Sequence, residues 1–112
     1  MSQTKVIEDN IKAARKLVEL GDALERLKSN KDFKTIIAEG YFEKEAIRLV
    51  QAKSNPGLQS PEMQKSIITQ MDSIGNLNLY FATIAQQAQM ARKNIEIDEA
   101  ELDAIAAEEG AE

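Results

Sequence analysis

The stretch from residue 67 to residue 95, "IITQMDSIGNLNLYFATIAQQAQMARKNI", repeats apolar side chains at the spacing that packs one α-helix against another. Five of these side chains fall seven residues apart: Ile67, Ile74, Phe81, Ala88 and Ile95. The companion positions hold Met63, Leu77, Ile84 and Ala91, and only Gln70 departs from the pattern. The spacing predicts one helix over residues 61–94 with a continuous apolar seam, and Gly75 is its weak point.

A break precedes this helix in "SNPGLQSPE", residues 54–62. Asn55-Pro56-Gly57 is typical of a turn, because proline fixes φ and glycine accepts conformations that other residues avoid. Ser60 followed by Pro61 is typical of a helix start, with a hydroxyl cap and a proline at the first helical position.

The first third of the chain also has helical periodicity, which predicts a helix over about residues 4–28. Its apolar residues recur at steps of three and four: Ile7, Ile11, Ala14, Leu17, Val18, Leu24 and Leu27. Gly21 interrupts the run, since glycine costs about 1 kcal/mol against alanine inside a helix. One kinked helix and two abutting helices both fit this pattern.

Two short helices, over about residues 31–39 and 42–53, are predicted between these longer ones. Ser29 or Asn30 is placed to cap the first, and Gly40 is placed to end it in the left-handed conformation that glycine allows. The two adjacent aromatic residues that follow are then expected to fill the corner between the two helices. Tyr41 would fold back on the last turn of the first helix, and Phe42 would start the next one. An exposed recognition patch is the alternative.

The end of the chain is acidic and has its own start signal. Asp98 and Glu101 have capping-box spacing, and Ile97 and Leu102 occupy the positions of a hydrophobic staple. A short separate helix to about Ala107 is predicted. No basic residue follows Lys93, so this acidic segment is read either as a solvated helix or as one that pairs with a basic partner or with the chain's own lysines.

Together these elements predict an all-α fold: a helical hairpin or bundle built around one long heptad-patterned helix. Residues 1–95 form the helical body, and residues 96–112 form the short acidic helix and tail. At 112 residues the chain fits one domain.

The composition argues against most chemistry. The chain has no histidine and no cysteine, which removes the commonest general base and the usual zinc ligands. We therefore expect no catalytic residue, no cofactor and no metal. No apolar run is long enough to cross a membrane, and "MSQTKVIEDN" has no secretory signal. The absence of cysteine suits a reducing cytoplasm.

Nucleic-acid binding has weak support. The basic residues of the first third are interleaved with acids, whereas a nucleic-acid footprint is more one-sided. A helix-turn-helix over residues 30–53 and an acidic DNA mimic are the two alternatives of this kind.

The predicted long helix is longer than a compact domain of this size. A helix over residues 61–94 would span about 50 Å, whereas a compact domain of this size is roughly 35 Å across. We therefore expect self-association or docking on a larger assembly; an elongated or bent monomer is the alternative. The candidate interaction residues are Ile67, Ile74, Leu77, Tyr80, Phe81 and Ile84 of the long helix, with Tyr41 and Phe42.

Residues 24–50, "LERLKSNKDFKTIIAEGYFEKEAIRLV", together with "SIGNLNLYFATI" at residues 73–84, resemble small helical proteins encoded by tailed bacteriophages. The shared pattern is "DF", then "EGYF", then "EA-RLV", then an "IG-L--Y" element. The resemblance covers about residues 20–93. It implies a phage origin and a virion or assembly role, in the host cytoplasm or the particle, and assigns no catalytic or binding residues.

These observations lead us to expect a non-catalytic structural or assembly protein that acts through helix–helix contacts. Its partners would be other copies of itself or other phage structural proteins. The alternative is a small regulator that binds a host protein.

Overall fold

The computed structural model describes residues 2–111. These residues form an all-α fold without strands, which confirms the predicted fold class. The elements in chain order are α1 (Gln3–Ser29), α2 (Lys31–Phe33), a π-helical segment (Lys34–Glu45), α3 (Ala46–Ser54), a 3-10 turn (Pro56–Leu58) and α4 (Pro61–Ala111).

The predicted break before the long helix is confirmed. The Ser60 hydroxyl accepts a hydrogen bond from the Met63 backbone N–H at 3.2 Å, and Pro61 is the first residue of α4. Asn55 caps the 3-10 turn, because its Oδ1 accepts from the Gly57 N–H at 2.9 Å. The side-chain amides of Gln59 and Gln64 both donate to the Lys53 carbonyl, which has no partner inside α3.

Helix α1 is one continuous helix through Gly21, which settles the alternative left open by the sequence. Asn30 then separates it from α2, and its Oδ1 accepts from the Phe33 N–H at 2.9 Å. The predicted cap at Asn30 is therefore confirmed.

The predicted helix end at Gly40 is wrong. No residue in the described part of the chain has a positive φ, and the π-helical segment runs straight through Gly40. The backbone stays helical at both joints, with φ −58° and ψ −44° at Lys34 and φ −60° and ψ −44° at Ala46. Because residues 31–54 contain no turn, they do not form the helix-turn-helix considered above.

The half-buried side chains of the π-helical segment fit a wide helix. They include Phe33, Ala38, Phe42 and Ala46, at steps of five, four and four, and the adjacent Ile37, Tyr41 and Glu45, at steps of four. These steps are longer than the 3.6 residues of an α-helix. A helix with i→i+5 hydrogen bonds keeps such side chains on one face without a break.

The predicted helix end near residue 94 is also not observed. Helix α4 has 51 residues and passes through Asn94, Glu96 and Asp98 without interruption. The covered positions continue at the same steps beyond the predicted end: Ile95, Asp98, Leu102 and Ile105. The seam itself, and not a new cap, therefore decides the structure of this segment.

The chain divides into two compact units. The terminal unit comprises the described residues of Met1–Leu24 and Thr83–Glu112, and the turn unit comprises Glu25–Ala82. In the terminal unit, α1 and α4 run antiparallel, since Gln3 contacts Glu101 while Asp22 contacts Arg92. In the turn unit, Leu49, Ile67 and Ile74 form a buried cluster, against which Tyr41, Phe42, Ala46, Ala52, Leu58 and Met71 pack.

The apolar contact of the terminal unit follows the heptad spacing of both helices. The covered positions of α1 are Thr4, Ile7, Ile11, Ala14, Val18, Gly21, Ala23 and Leu24. Gly21 lies directly against Ala88, where an added Cβ would be 2.3 Å from the Ala88 Cβ. Because the helices are antiparallel, this contact sets the register and places Ala14 level with Ile95 and Ile7 level with Leu102.

Candidate interaction surfaces

Most of the interaction residues predicted from the sequence are covered by the chain's own helices. Ile67, Ile74 and Ile84 are buried, while Tyr41, Phe42, Leu77 and Phe81 are half-buried. Only Tyr80 is largely exposed, with 57% of its surface accessible. The seam of α4 is therefore occupied within the chain, and a partner would have to use other faces.

The adjacent aromatic pairs Tyr41–Phe42 and Tyr80–Phe81 meet in the turn unit through Phe42 and Phe81. The Phe81 ring centroid lies 5.9 Å from that of Phe33 and 6.0 Å from that of Phe42, with tilted and edge-on geometry. Aromatic pairs prefer tilted and edge-on arrangements of this kind to face-to-face stacking. Tyr41, Phe42 and Phe81 thus pack within the turn unit, while Tyr80 is largely exposed.

An open apolar groove of about 550 Å³ lies in the turn unit. Leu49 and Ile74 are its buried residues, and Ile36, which is 65% exposed, also lines it. The remaining lining residues are Ile37, Gly40, Tyr41, Glu45, Gln70 and Ser73.

Arg48 holds Glu45 at this groove. The Nε of Arg48 donates to the Glu45 carboxylate at 2.9 Å, and the Nη2 donates to the same oxygen. This hydrogen bond, with the positive charge of Arg48, lowers the pKa of Glu45 below its ordinary value of 4.5 and raises the pKa of Arg48. Both groups are solvent-accessible, so the pair contributes little to stability.

A second groove, of about 300 Å³, lies between α1 and α4 in the terminal unit. It is lined by Asn10, Ala13, Ala14, Leu17, Gln87, Met90, Ala91 and Asn94. Steps of three and four residues place Val6 and Leu20 on the same side of α1 and Ile97 on the same side of α4. We call this side the uncharged edge; it is defined by Val6, Asn10, Ala13, Leu17, Leu20, Gln87, Met90, Asn94 and Ile97.

The uncharged edge combines exposed apolar side chains with neutral amides. Five of its residues are large hydrophobics that remain 38–64% exposed: Val6, Leu17, Leu20, Met90 and Ile97. Among the described residues, no hydrogen bond within the chain engages the side-chain amides of Asn10, Gln87 or Asn94. The edge ends at Gln3, whose amide donates to Glu101 at 3.2 Å.

The opposite side of the same helix pair carries ion pairs. Arg15 contacts Glu99 at 3.3 Å, and Arg92 contacts Asp22 at 2.7 Å. Part of the acidic segment therefore pairs with the chain's own basic residues, which was one of the two interpretations of its charge. These pairs are exposed and contribute at most about 1 kcal/mol each, but they make the two sides of the unit chemically different.

The uncharged edge was missed by the sequence analysis, although its signal is present. Val6, Ala13 and Leu20 are seven residues apart, and so are Asn10 and Leu17. Helix α1 thus has a second stripe beside its seam. We assigned Leu17 to the seam because both stripes share the same steps, and only the opposing helix distinguishes them.

Two further properties follow from the described part of the chain. No group of three or more His, Cys, Asp or Glu side chains in residues 2–111 is placed to hold a metal ion. Within the same residues, no helix combines the length and the apolar content that crossing a bilayer requires.

Comparison of the chain with protein-family models, curated proteins and solved structures finds no match. Its function is therefore argued from its own surfaces.

Proposed function

We propose that this chain is a non-catalytic structural or assembly protein that acts through helix–helix contacts. The observation that carries the proposal is the exposure of its apolar side chains. Thirteen large hydrophobic residues of the described chain are at least 38% exposed, whereas nine apolar residues are buried. Single exposed hydrophobics are ordinary on a soluble protein, but a continuous apolar face marks an interaction site.

The composition supports the absence of catalysis, since the chain has neither histidine nor cysteine to serve as base or nucleophile. The resemblance of residues 20–93 to small phage-encoded helical proteins supports a place in a virion or in its morphogenesis. The partners would then be further copies of this chain or other structural proteins of the particle.

The molar mass in solution tests this proposal. Size-exclusion chromatography with light scattering, from about 1 to 200 μM, should give a mass above the 12.4 kDa of one chain at the higher concentrations. The protein should also be detected by mass spectrometry in purified particles of the phage that encodes it. A chain that stays monomeric throughout and is absent from particles would contradict the proposal.

The groove of the turn unit favours the second candidate, a small regulator that binds a host protein. An open apolar groove of this volume is the kind of surface into which a partner's side chains insert. The regulator would be monomeric, and Ile36→Asp at the groove should abolish capture of one defined host protein. Under this alternative, the same substitution would leave the molar mass unchanged.

A further inference from the structure

We propose that the uncharged edge binds the same edge of a second copy of this chain, so that the two terminal units form a four-helix arrangement. The inference rests on the proposed function and names its partner. In a single copy, the terminal unit is a pair of helices whose seam is covered while the second stripe stays open. Pairing two copies would cover the second stripe of α1 and of α4 at once.

The charge of the molecule favours a second copy over an unlike partner. The chain carries a net charge of −5, so two copies repel one another on average, and they can approach most easily through surfaces without charge. None of the nine residues of the uncharged edge is Asp, Glu, Lys or Arg. A basic or acidic partner would find no complementary charge there, whereas a like chain meets no repulsion.

The chemistry of the edge is also self-complementary, as a two-fold symmetric interface requires. A carboxamide both donates and accepts hydrogen bonds, so the amides of Asn10, Gln87 and Asn94 can pair with amides of another copy. The small residues Ala13 and Ala91 leave a hollow of about 300 Å³ beside them. Leu20 and Ile97 lie near the two ends of this hollow and are 45% and 64% exposed. In a dimer, these side chains of one copy could insert into the hollow of the other.

The size of the edge is sufficient for a weak dimer. Residues 6–20 of α1 extend about 22 Å, and two packed helices are roughly 20 Å wide. The footprint is therefore on the order of 500 Å² per copy, or about 1,000 Å² for the pair, the lower limit for a specific interface. We accordingly expect dissociation in the micromolar range.

Leu20→Glu and Ile68→Glu provide the test with a matched control. Both side chains are 45% exposed, and Ile68 belongs to the turn unit and is not part of the uncharged edge. Analytical ultracentrifugation should show a dimer for the wild-type chain and for Ile68→Glu. Leu20→Glu should raise the dissociation constant at least tenfold, because a carboxylate would be buried without a partner. Circular dichroism at low concentration should show the same helix content for all three.

A cysteine label gives a second measurement that does not depend on a disruptive charge. The chain has no native cysteine, so Ala13→Cys and Lys65→Cys each carry a single thiol. The maleimide reaction at position 13 should slow several-fold as the protein concentration rises through the dissociation constant. The reaction at position 65, in the turn unit, should keep its rate.

The outcomes separate this inference from the proposed function. If the wild-type chain self-associates but Leu20→Glu does so equally well and position 13 stays reactive, the chosen surface is wrong while the assembly role stands. If Ile68→Glu dissociates the dimer as strongly as Leu20→Glu, the edge is likewise not the interface. If the wild-type chain is a monomer at 200 μM, the inference is wrong. If the protein is in addition absent from purified particles, the proposed function is wrong as well.

Discussion

At Gly21, a single residue fixes how closely two helices approach. The sequence marks this glycine as a weakness in α1, because glycine is a poor helix former. The structure shows it buried, with the Ala88 methyl group where its own side chain would be. A conformational argument from the sequence could not find this role, since the cause is a residue 67 positions away.

Gly21→Ala should destabilise the protein, although alanine is the better helix former. The added methyl would lie 2.3 Å from the Ala88 Cβ, so the helices must move apart. Overpacking of this kind costs about 1–3 kcal/mol and outweighs the gain in propensity of up to about 1 kcal/mol. Urea denaturation should show the loss, and adding Ala88→Gly to the variant should recover part of it.

Gly75→Ala is the control for the same substitution. Apart from the adjacent residues and the nearby backbone of α4 itself, no atom lies within 4 Å of a Cβ added at Gly75, which is inside α4. The unfolding free energy should rise by about 0.5–1 kcal/mol. If alanine stabilises the protein at both positions, the close approach at Gly21 does not exist.

The Glu45–Arg48 pair makes a prediction about pH. Because the hydrogen bond from Arg48 lowers the pKa of folded Glu45, its contribution to stability is present above pH 4.5 and is lost as the pH falls through the lowered value. The stability difference between wild type and Arg48→Ala should accordingly be small at pH 7 and disappear in acid. An NMR titration should place the pKa of Glu45 below 4.5, and Arg48→Ala should return it toward that value.

Arg92→Ala is a control for this titration, since it breaks the pair with Asp22 in the other unit. The Glu45 titration should not respond to it. An unchanged Glu45 pKa in Arg48→Ala would show that the two side chains do not interact in solution.

At the scale of elements, periodicity and caps predicted which segments are helical. The errors concern which side of a helix is covered and where a helix ends, because neither signal shows where the opposing helix lies. The seam through Ile74, Phe81 and Ala88 is covered as expected, but its first companions are Gln64 and Met71 instead of Met63 and Gln70. Both pairs lie beside the same stripe on opposite sides. Each pair consists of one methionine and one glutamine, so the sequence could not tell which pair is covered without knowing where the opposing helix lies.

The π-helical segment was missed for a different reason. We assumed a repeat of 3.6 residues and placed a helix end at Gly40, because glycine allows the left-handed conformation in which many helices end. The burial of one face by α4 residues such as Phe81 stabilises a wider helix that local propensity does not indicate.

Helix continuity at residues 94–98 can be tested with two caps that look alike in the sequence. Ser60→Ala removes a hydroxyl that accepts the Met63 N–H and should cost about 1 kcal/mol. Asp98→Ala should cost nothing comparable, because Asp98 lies inside α4 and caps no helix start. Glu96→Pro should cost about 3 kcal/mol or more, as proline does within a helix. A cost at Asp98 with tolerance of proline at position 96 would instead support two separate helices.

At the scale of the whole molecule, the long helix that the sequence predicts is present, whereas self-association stays a prediction. The long helix is unbroken and even exceeds the predicted 61–94. Its seam is nevertheless covered by residues of the same chain, with Leu49 and Phe42 in the turn unit and α1 in the terminal unit. The surface left for assembly is consequently the second stripe, whose position depends on how α1 and α4 pair.

The same pairing gives the acidic segment a structural role that can be tested by truncation. In the register set by Gly21 and Ala88, residues 95–105 of α4 lie level with residues 4–14 of α1. Ile7 and Ile11 are 6% and 5% exposed, so removing residues 95–112 would uncover both. Each isoleucine contributes about 1.5–3 kcal/mol when buried. We expect a loss of roughly 3–6 kcal/mol and fast hydrogen exchange in residues 4–14.

A shorter truncation separates burial from charge. Ending the chain after Ala107 removes Glu108 and Glu109 but keeps Leu102 and Ile105, the last covered positions of the seam. Exchange in residues 4–14 and the urea midpoint should then match the full chain. If both truncations destabilise α1 equally, the acidic charge matters and the seam does not. If neither does, the segment is a solvated helix as the sequence alone suggested, and the N-terminal half of α1 is held by other contacts.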